Sequence, residues 1–157
     1  MIGAINEMFG VETVFNEKGI TIFNNETVYC DYFEFDFSDC PDLAQTLAFT
    51  CAALQIEGKL TGLSTLKNKE TDRIVALKNE LTKCGMNCEI TNDSIFFAVK
   101  NKIPDELIFD TYEDHRMAMA ASVIAMVSKK VTIKDENVVE KSFPEFWSEM
   151  GKIISEV

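Results

Sequence analysis

Two short charged motifs hold both arginines and the single histidine of this chain. They are Lys69-Glu70-Thr71-Asp72-Arg73 and Asp114-His115-Arg116. A guanidinium fork grips a carboxylate or phosphate at two points, whereas a lysine ammonium acts as a point charge. The chain carries 26 acidic and 15 basic residues, for a formal net charge of −11. Its overall field therefore repels anions, so the two motifs predict a local cationic site for a carboxylate or phosphate ligand.

Composition excludes several classes of function. A net charge of −11 argues against nucleic acid or an anionic membrane as the main partner, since both require a basic surface. The five cysteines are an odd set without a CxxC pair, which favours reduced thiols in the cytoplasm, and one histidine makes a zinc site improbable. The longest apolar run, Met117 to Val127, is too short to span a membrane.

We predict an α/β fold with α+β-like character, whose strands and helices position the two charged motifs. Hairpins are predicted at Val11 to Phe23 and Cys88 to Val99. The remaining segments are predicted as alternating strands and helices: strand Tyr32 to Phe37, helix Pro41 to Ile56, strand Lys59 to Leu63, helix Glu70 to Cys84, strand Glu106 to Phe109, helix Glu113 to Ser128, strand Val131 to Lys134 and helix Pro144 to Ile154.

This order predicts duplicated β-α-β-α-β-β units with buried helices packed against mixed sheets. One unit is complete, an α-β-β precedes it, and a β-α-β-α follows it. The first segment, Met1 to Gly10, reads as the end of a helix without an initiating cap, so we expect the chain to begin within a larger protein. The 157 residues fit a single domain, 1–157.

Aligning the two copies places Asp42 opposite Arg116 and Lys69 opposite Lys141. All of these positions lie where a strand hands over to a helix, and such loops collect on one side of a layered domain, where helix amino ends favour anions. We therefore expect one face to carry eight charged or titratable residues: Asp42, Lys69, Glu70, Arg73, Asp114, His115, Arg116 and Lys141.

Each of these residues also has a purely structural interpretation. Asp42, in a first helical turn, could simply complement the helix dipole. Glu70 and Arg73 have the i, i+3 spacing of an exposed helix ion pair. His115 fits a hydrogen-bonding residue as well as a proton carrier, and Lys141 alone could be a solvated lysine. Only their combination, at equivalent elements of a duplicated fold, favours a site.

Four motifs, in order, resemble the C-terminal motifs of the EPSP synthase (3-phosphoshikimate 1-carboxyvinyltransferase) family. They are Ser38-Asp39-Cys40-Pro41-Asp42-Leu43-Ala44-Gln45-Thr46, Lys69-Glu70-Thr71-Asp72-Arg73, Asp114-His115-Arg116-Met117-Ala118-Met119-Ala120 and Lys141-Ser142-Phe143-Pro144. The resemblance implies one domain of a two-domain fold that closes over its substrates. It also implies a transferase of the shikimate pathway, in aromatic amino-acid biosynthesis.

The implied reaction moves the enolpyruvyl group of phosphoenolpyruvate to the 5-hydroxyl of shikimate 3-phosphate and releases phosphate, with no metal or organic cofactor. By the resemblance, Asp42 is the base and binds shikimate 3-phosphate, which Lys69 also contacts. Arg73, Arg116 and Lys141 hold phosphoenolpyruvate. Glu70 is a candidate proton donor or relay in competition with Lys141.

The resemblance leaves open whether Asp114 and His115 touch substrate or orient Arg116. Family members have an N-terminal domain that supplies further cations, so we expect the chain alone to be a C-terminal fragment with little or no turnover. Two other functions stay open: a domain of the UDP-N-acetylglucosamine enolpyruvyl transferase, and a non-catalytic module that binds an anion or a partner.

Overall fold

The computed structural model describes residues 7–24 and 30–154, and the chain forms two compact units, 1–32 and 33–157. The first contains the predicted hairpin. Strand β1 (Val11–Asn16) pairs antiparallel with β2 (Gly19–Asn24), with Asn16 opposite Gly19. The Asn16 side chain accepts the Lys18 amide at 2.9 Å and stabilises the two-residue turn. This hairpin is confirmed, whereas most of the predicted helix from Met1 to Gly10 lies outside the described residues.

The described part of the second unit, together with Tyr32, contains two sheets. Strands β3 (Tyr32–Asp36), β4 (Glu57–Thr61), β5 (Met86–Ile90) and β6 (Ile95–Val99) form the first in the order β3-β4-β6-β5, with β6 antiparallel to β4 and β5. Strands β7 (Glu106–Phe109) and β8 (Lys130–Ile133) form a parallel pair. The predicted α/β fold with mixed sheets is confirmed; that its units arose by duplication stays a prediction.

Within residues 33–154, four α-helices accompany the sheets: α1 (Ala44–Leu54), α2 (Arg73–Lys83), α3 (His115–Ala121) and α4 (Phe146–Ile154). Helix α1 is central, because it packs against β4, α2, α3 and the 3-10 helix Ser122–Met126. Its buried alanines Ala44, Ala48 and Ala52 let neighbouring elements approach closely. The ring of Phe49 packs edge to face against that of Phe109, with 5.7 Å between the ring centroids. This contact joins α1 to β7 in the core.

Several element boundaries differ from the sequence prediction for local reasons. Strand β4 ends at Thr61 because Gly62 adopts φ +71 and the chain then turns into the 3-10 helix Ser64–Asn68. Helix α2 begins at Arg73 because the carboxylate of Asp72 accepts the amides of the two residues after Arg73, both at 3.2 Å. At its other end Gly85 has φ +85, as expected of a helix stop.

The helix predicted from Glu113 is divided. It begins at His115, after the cap Asp114, and the last part of the predicted span is the 3-10 helix Ser122–Met126. Helix α4 starts at Phe146, two residues later than predicted, and the Trp147 indole donates to the Glu136 carbonyl at 2.9 Å. Within residues 7–24 and 30–154, no helix combines the length and apolarity needed to cross a membrane.

Candidate active site

The charged motifs meet at loops that follow four strands of the second unit. Asp42 lies in the 3-10 helix Pro41–Leu43 after β3, and Lys69 follows the 3-10 helix Ser64–Asn68 after β4. Asp114 follows β7, and Lys141 ends the 3-10 helix Glu136–Lys141 after β8. The positions predicted to share a face do approach one another, as the following contacts show.

Arg73, the first residue of α2, lies at the centre of the cluster and is only 1% exposed. Its Nε and Nη2 atoms donate to the two carboxylate oxygens of Asp114, the latter at 3.2 Å. Nη1 donates to Asp42 at 2.7 Å, and Nη2 also donates to Glu70 at 2.8 Å. The guanidinium is therefore occupied by three carboxylates drawn from three separate segments.

Asp114 is the deepest carboxylate of the cluster, with a fully buried side chain. Besides pairing with Arg73 in the two-point geometry of a guanidinium and a carboxylate, its Oδ1 accepts the Arg116 amide at 2.9 Å. That second bond caps the start of α3. One carboxylate thus fixes Arg73 and the backbone that carries Arg116.

The members of the cluster other than Arg73 and Asp114 are partly exposed to solvent. Oδ1 of Asp42 lies 3.6 Å from Lys69 Nζ, and its Oδ2 lies 3.3 Å from Arg116 Nη2, so this carboxylate faces three cations. Glu70 Oε1 lies 3.5 Å from Lys141 Nζ. The side-chain exposure ranges from 31% for Glu70 to 67% for Lys141, so these groups can meet a ligand from solvent.

The Glu70 carboxyl has a lowered pKa. Its own backbone amide contributes most, Arg73 and Lys141 add to the effect, and partial burial opposes it. The structural interpretation of Glu70 and Arg73 as an exposed helix pair is wrong, because Glu70 precedes α2 and Arg73 is buried.

Seven of the eight predicted residues form one connected set of ion pairs, and His115 is the exception. Its Nδ1 is buried without a hydrogen-bond partner. Two further buried side chains on neighbouring segments were not predicted and also lack partners: both amide atoms of Gln45 in α1, and the hydroxyl of Thr111. Their residue types gave no signal of this in the sequence.

Sequence reasoning also missed a second charged group at the other end of α2. The carboxylate of Glu80 is fully buried and accepts hydrogen bonds from Lys83, Tyr112 and the amide of Asp110. A signal was available, because Glu80 interrupts the apolar stripe that includes Leu77 and Leu81.

A separate cleft of about 230 Å³ lies beside β8 and α4, where Val131, Ile133, Trp147 and Met150 contribute to its lining. None of the eight predicted residues lines it. Its walls are mainly apolar, so the charged cluster is the better candidate for binding an anion.

Comparison with known proteins decides the family. The sequence model of EPSP synthase (3-phosphoshikimate 1-carboxyvinyltransferase) matches residues 2–150. The chain belongs to the EPSP synthase family. This membership confirms the resemblance carried by the four motifs.

Individual relatives of the family agree. A 3-phosphoshikimate 1-carboxyvinyltransferase of Bacteroides fragilis is 42% identical over 145 residues, which cover 91% of this chain and 35% of that protein. The protein of that name from Photobacterium profundum is 35% identical over 150 residues, covering 94% and 33%. The chain therefore spans about a third of the length of the curated relatives it matches.

The fold is also that of the family. The structure of EPSP synthase from Acinetobacter baumannii matches with a TM-score of 0.72 and 24% identity, covering 98% of this chain and 38% of that one. At this identity the likeness concerns the fold alone.

Proposed function

We propose that the chain is the C-terminal domain, residues 1–157, of an EPSP synthase. The complete protein would transfer the enolpyruvyl group of phosphoenolpyruvate to the 5-hydroxyl of shikimate 3-phosphate and release phosphate in the cytoplasm. The observation that carries the proposal is the Asp42 carboxylate, which faces Lys69, Arg73 and Arg116 in a member of this family. That arrangement sets a proton acceptor among the cations that anionic substrates need.

In the proposed first step, Asp42 takes the proton of the 5-hydroxyl as the oxygen attacks C2 of phosphoenolpyruvate, while C3 gains a proton. The resulting tetrahedral adduct then returns one of its three C3 protons to the group that donated it and expels phosphate, which takes up the proton held by Asp42. Lys69 would contact shikimate 3-phosphate. When shikimate 3-phosphate binds, its 5-hydroxyl would donate to the Asp42 carboxylate and weaken the ion pair of Asp42 with Arg73 Nη1, so that this atom would hold phosphoenolpyruvate together with Arg116 and Lys141.

The proton delivered to C3 is assigned to the Glu70–Lys141 pair. Because the lowered pKa of Glu70 favours its carboxylate form at neutral pH, we propose Lys141 as the donor and Glu70 as the group that positions or recharges it. Asp114 is proposed to act by holding Arg73 and the start of α3. His115 beside it has no assigned proton transfer.

Charge balance supports the proposal that the chain is half of a site. Lys69, Arg73, Arg116 and Lys141 outnumber the carboxylates of the cluster by one. Two phosphates and two carboxylates on the substrates carry roughly −5 to −6 in total at pH 7. Further cations must come from elsewhere, and we propose an N-terminal domain of the same enzyme as their source.

A phosphate-release assay tests these assignments. The chain alone, at micromolar concentration with both substrates, should show little or no turnover. Mixing it with the separately expressed N-terminal domain of the Bacteroides fragilis relative should restore turnover. That relative's own two separated domains serve as the positive control for reassembly. Robust turnover by the chain alone would contradict the half-site proposal.

Variants and alternative substrates separate the competing functions. Asp42→Asn should abolish the restored turnover, whereas Asp39→Asn, which changes an exposed carboxylate three residues earlier, should leave it unchanged. Turnover with UDP-N-acetylglucosamine in place of shikimate 3-phosphate would favour the sister transferase. If the positive control works but calorimetry detects neither substrate binding to the reassembled protein, the non-catalytic module is favoured.

A further inference from the structure

Glu80 occupies the face of α2 that also carries Arg73, two helical turns further on. Its side chain is fully buried. Oε2 accepts from Lys83 Nζ at 2.6 Å and from the Asp110 amide at 3.1 Å, and Oε1 accepts from the Tyr112 hydroxyl at 2.6 Å. A buried carboxylate satisfied by three donors is a rigid anchor, because releasing any of them leaves charge without compensation.

Two of the three partners of Glu80, Asp110 and Tyr112, belong to the loop that leads from β7 into α3. Tyr112 and Glu113 have φ values of +56 and +57, the left-handed region that residues with a Cβ adopt at a cost of roughly 1–2 kcal/mol each. Neither residue is a glycine, so surrounding contacts must hold this conformation. The loop ends at Asp114, directly before His115 and Arg116.

Helix α2 holds this loop at both ends. Arg73 pairs with Asp114 at one end, and Glu80 binds Asp110 and Tyr112 at the other. Lys83 reinforces the second contact by donating to the Asp110 carboxylate at 2.7 Å. The loop therefore cannot shift along α2 without breaking bonds at both of its ends.

Two pKa shifts agree with this geometry. Burial, and next the hydrogen bond to Glu80, raises the pKa of the Tyr112 hydroxyl, so it stays a donor. Burial alone would lower the pKa of Lys83, but its bonds to Asp110 and Glu80 outweigh that effect and raise it, so the ammonium keeps its charge.

We propose that Glu80, acting through Tyr112 and Asp110, is a positioning residue for Arg116 and for the carboxylate of Asp114 that holds Arg73. It sets the left-handed loop conformation from which α3 begins, and so fixes where Arg116 stands relative to Asp42. The identity of the anion that Arg116 meets rests on the proposed function. The positioning of Arg116 and Asp114 by Glu80 does not depend on the proposed function.

Hydrogen exchange on the chain tests the positioning directly. In Glu80→Gln, the negative charge that holds Lys83 is lost and an amide nitrogen replaces one of the two accepting oxygens, so the loop should loosen. The Asp114 amide, bonded to the Thr111 carbonyl, and the Arg116 amide, bonded to Asp114, should exchange at least about tenfold faster. Amides in the β5–β6 ladder should keep their protection. Glu89→Gln, an exposed carboxylate on β5, is the matched control.

A milder variant keeps the test decisive if Glu80→Gln does not fold. Tyr112→Phe removes one donor and keeps the carboxylate with its other two partners, and it should speed exchange at the same two amides to a smaller extent. Unchanged exchange at both amides in the folded variants would overturn the proposal. So would an equal acceleration throughout the unit, because Glu80 would then only stabilise the fold.

A measurement of phosphoenolpyruvate binding tests this inference separately from the proposed function. Binding of phosphoenolpyruvate, in the presence of shikimate 3-phosphate, to the chain reassembled with the N-terminal domain should weaken about tenfold in Glu80→Gln, because small displacements of a binding group cost this much or more. Unchanged affinity would overturn the inference. If the unsubstituted protein does not bind phosphoenolpyruvate, the proposed function fails, and the exchange experiment decides the positioning alone.

Discussion

Replacing Arg73 by methionine should destabilise the second unit strongly. Arg73→Met keeps much of the aliphatic stem and removes the guanidinium that donates to Asp114, Asp42 and Glu70. The three carboxylates differ in what they lose. Asp42 and Glu70 are about a third exposed and keep other cations nearby, so each loses at most about 1 kcal/mol. Asp114 is fully buried, and its charge would be left without a countercharge.

The size of the effect follows from Asp114. Removing one partner of a buried ion pair costs about 3–5 kcal/mol, which is a large part of the 5–15 kcal/mol that stabilises a typical domain. Asp114→Asn should cost less, about 2 kcal/mol, because Arg73 retains two carboxylates. In the double variant no buried charge is left unpaired, so its cost should fall short of the summed single costs by about 2 kcal/mol or more.

Urea unfolding followed by fluorescence of the single tryptophan, Trp147, measures these free energies, since Trp147 lies in the same unit. Lys129→Met is the control: it removes an exposed lysine from a surface pair with Asp105 and should cost less than about 0.5 kcal/mol. Arg73→Lys, which keeps the charge without the fork, provides a folded comparison if Arg73→Met is too unstable. A loss below about 1 kcal/mol in Arg73→Met, or additive single costs, would refute the reasoning.

Two further predictions concern other parts of the second unit. Gly62→Ala should lose about 3 kcal/mol in urea unfolding, because Gly62 has φ +71 and a Cβ there would collide with Asp36 and Ser38; Gly151→Ala, with open space around it, should be neutral or stabilising. Burial raises the pKa of Cys84 to about 12, so its thiol stays protonated when folded and ionises on unfolding above pH 9. The contribution of Cys84 to the free energy of unfolding is therefore complete below pH 9 and falls by about 1.4 kcal/mol per pH unit above it. The difference in unfolding free energy between the unsubstituted chain and Cys84→Ala should narrow between pH 9 and 11. A difference that stays constant over this range would contradict the prediction.

The sequence located the candidate site well because its chemistry depends on rare residue types in local motifs. Two arginines and one histidine, each in the first turn of a helix, marked both halves of the cluster. The degree of burial of each side chain could not be predicted in the same way. Arg73 is almost fully buried while the Arg116 side chain is 39% exposed, although both lie in the first turn of a helix. Their difference depends on the packing of α1 against α2 and α3, which brings Asp114 to Arg73 from 41 positions away.

Fold class and hairpins were predictable from alternation and glycine positions, whereas boundaries depended on side-chain caps. Asp72 and Asp114 cap the helices that follow them, and a carboxylate that caps a helix lies outside it. These helices therefore start three and two residues later, respectively, than the sequence predicts. The left-handed backbone at Tyr112 and Glu113 had no signal, because neither residue is one that favours this conformation. It depends on Glu80, whose partners are distant in sequence.

Solvent exposure of the cluster indicates how the proposed second domain would act on the site in addition to supplying cations. Lys141 is 67% exposed and Arg116 39%, so their attraction for an anion acts largely through water. Two unit charges 4 Å apart gain about 1 kcal/mol in water and about 4 kcal/mol at an effective dielectric constant of 20. Covering the cluster would therefore strengthen the same contacts several-fold in energy without moving any residue of this chain. Fully buried Asp114 would change least, which suits it to hold Arg73 and the start of α3 while the more exposed groups of the cluster meet the proposed substrates.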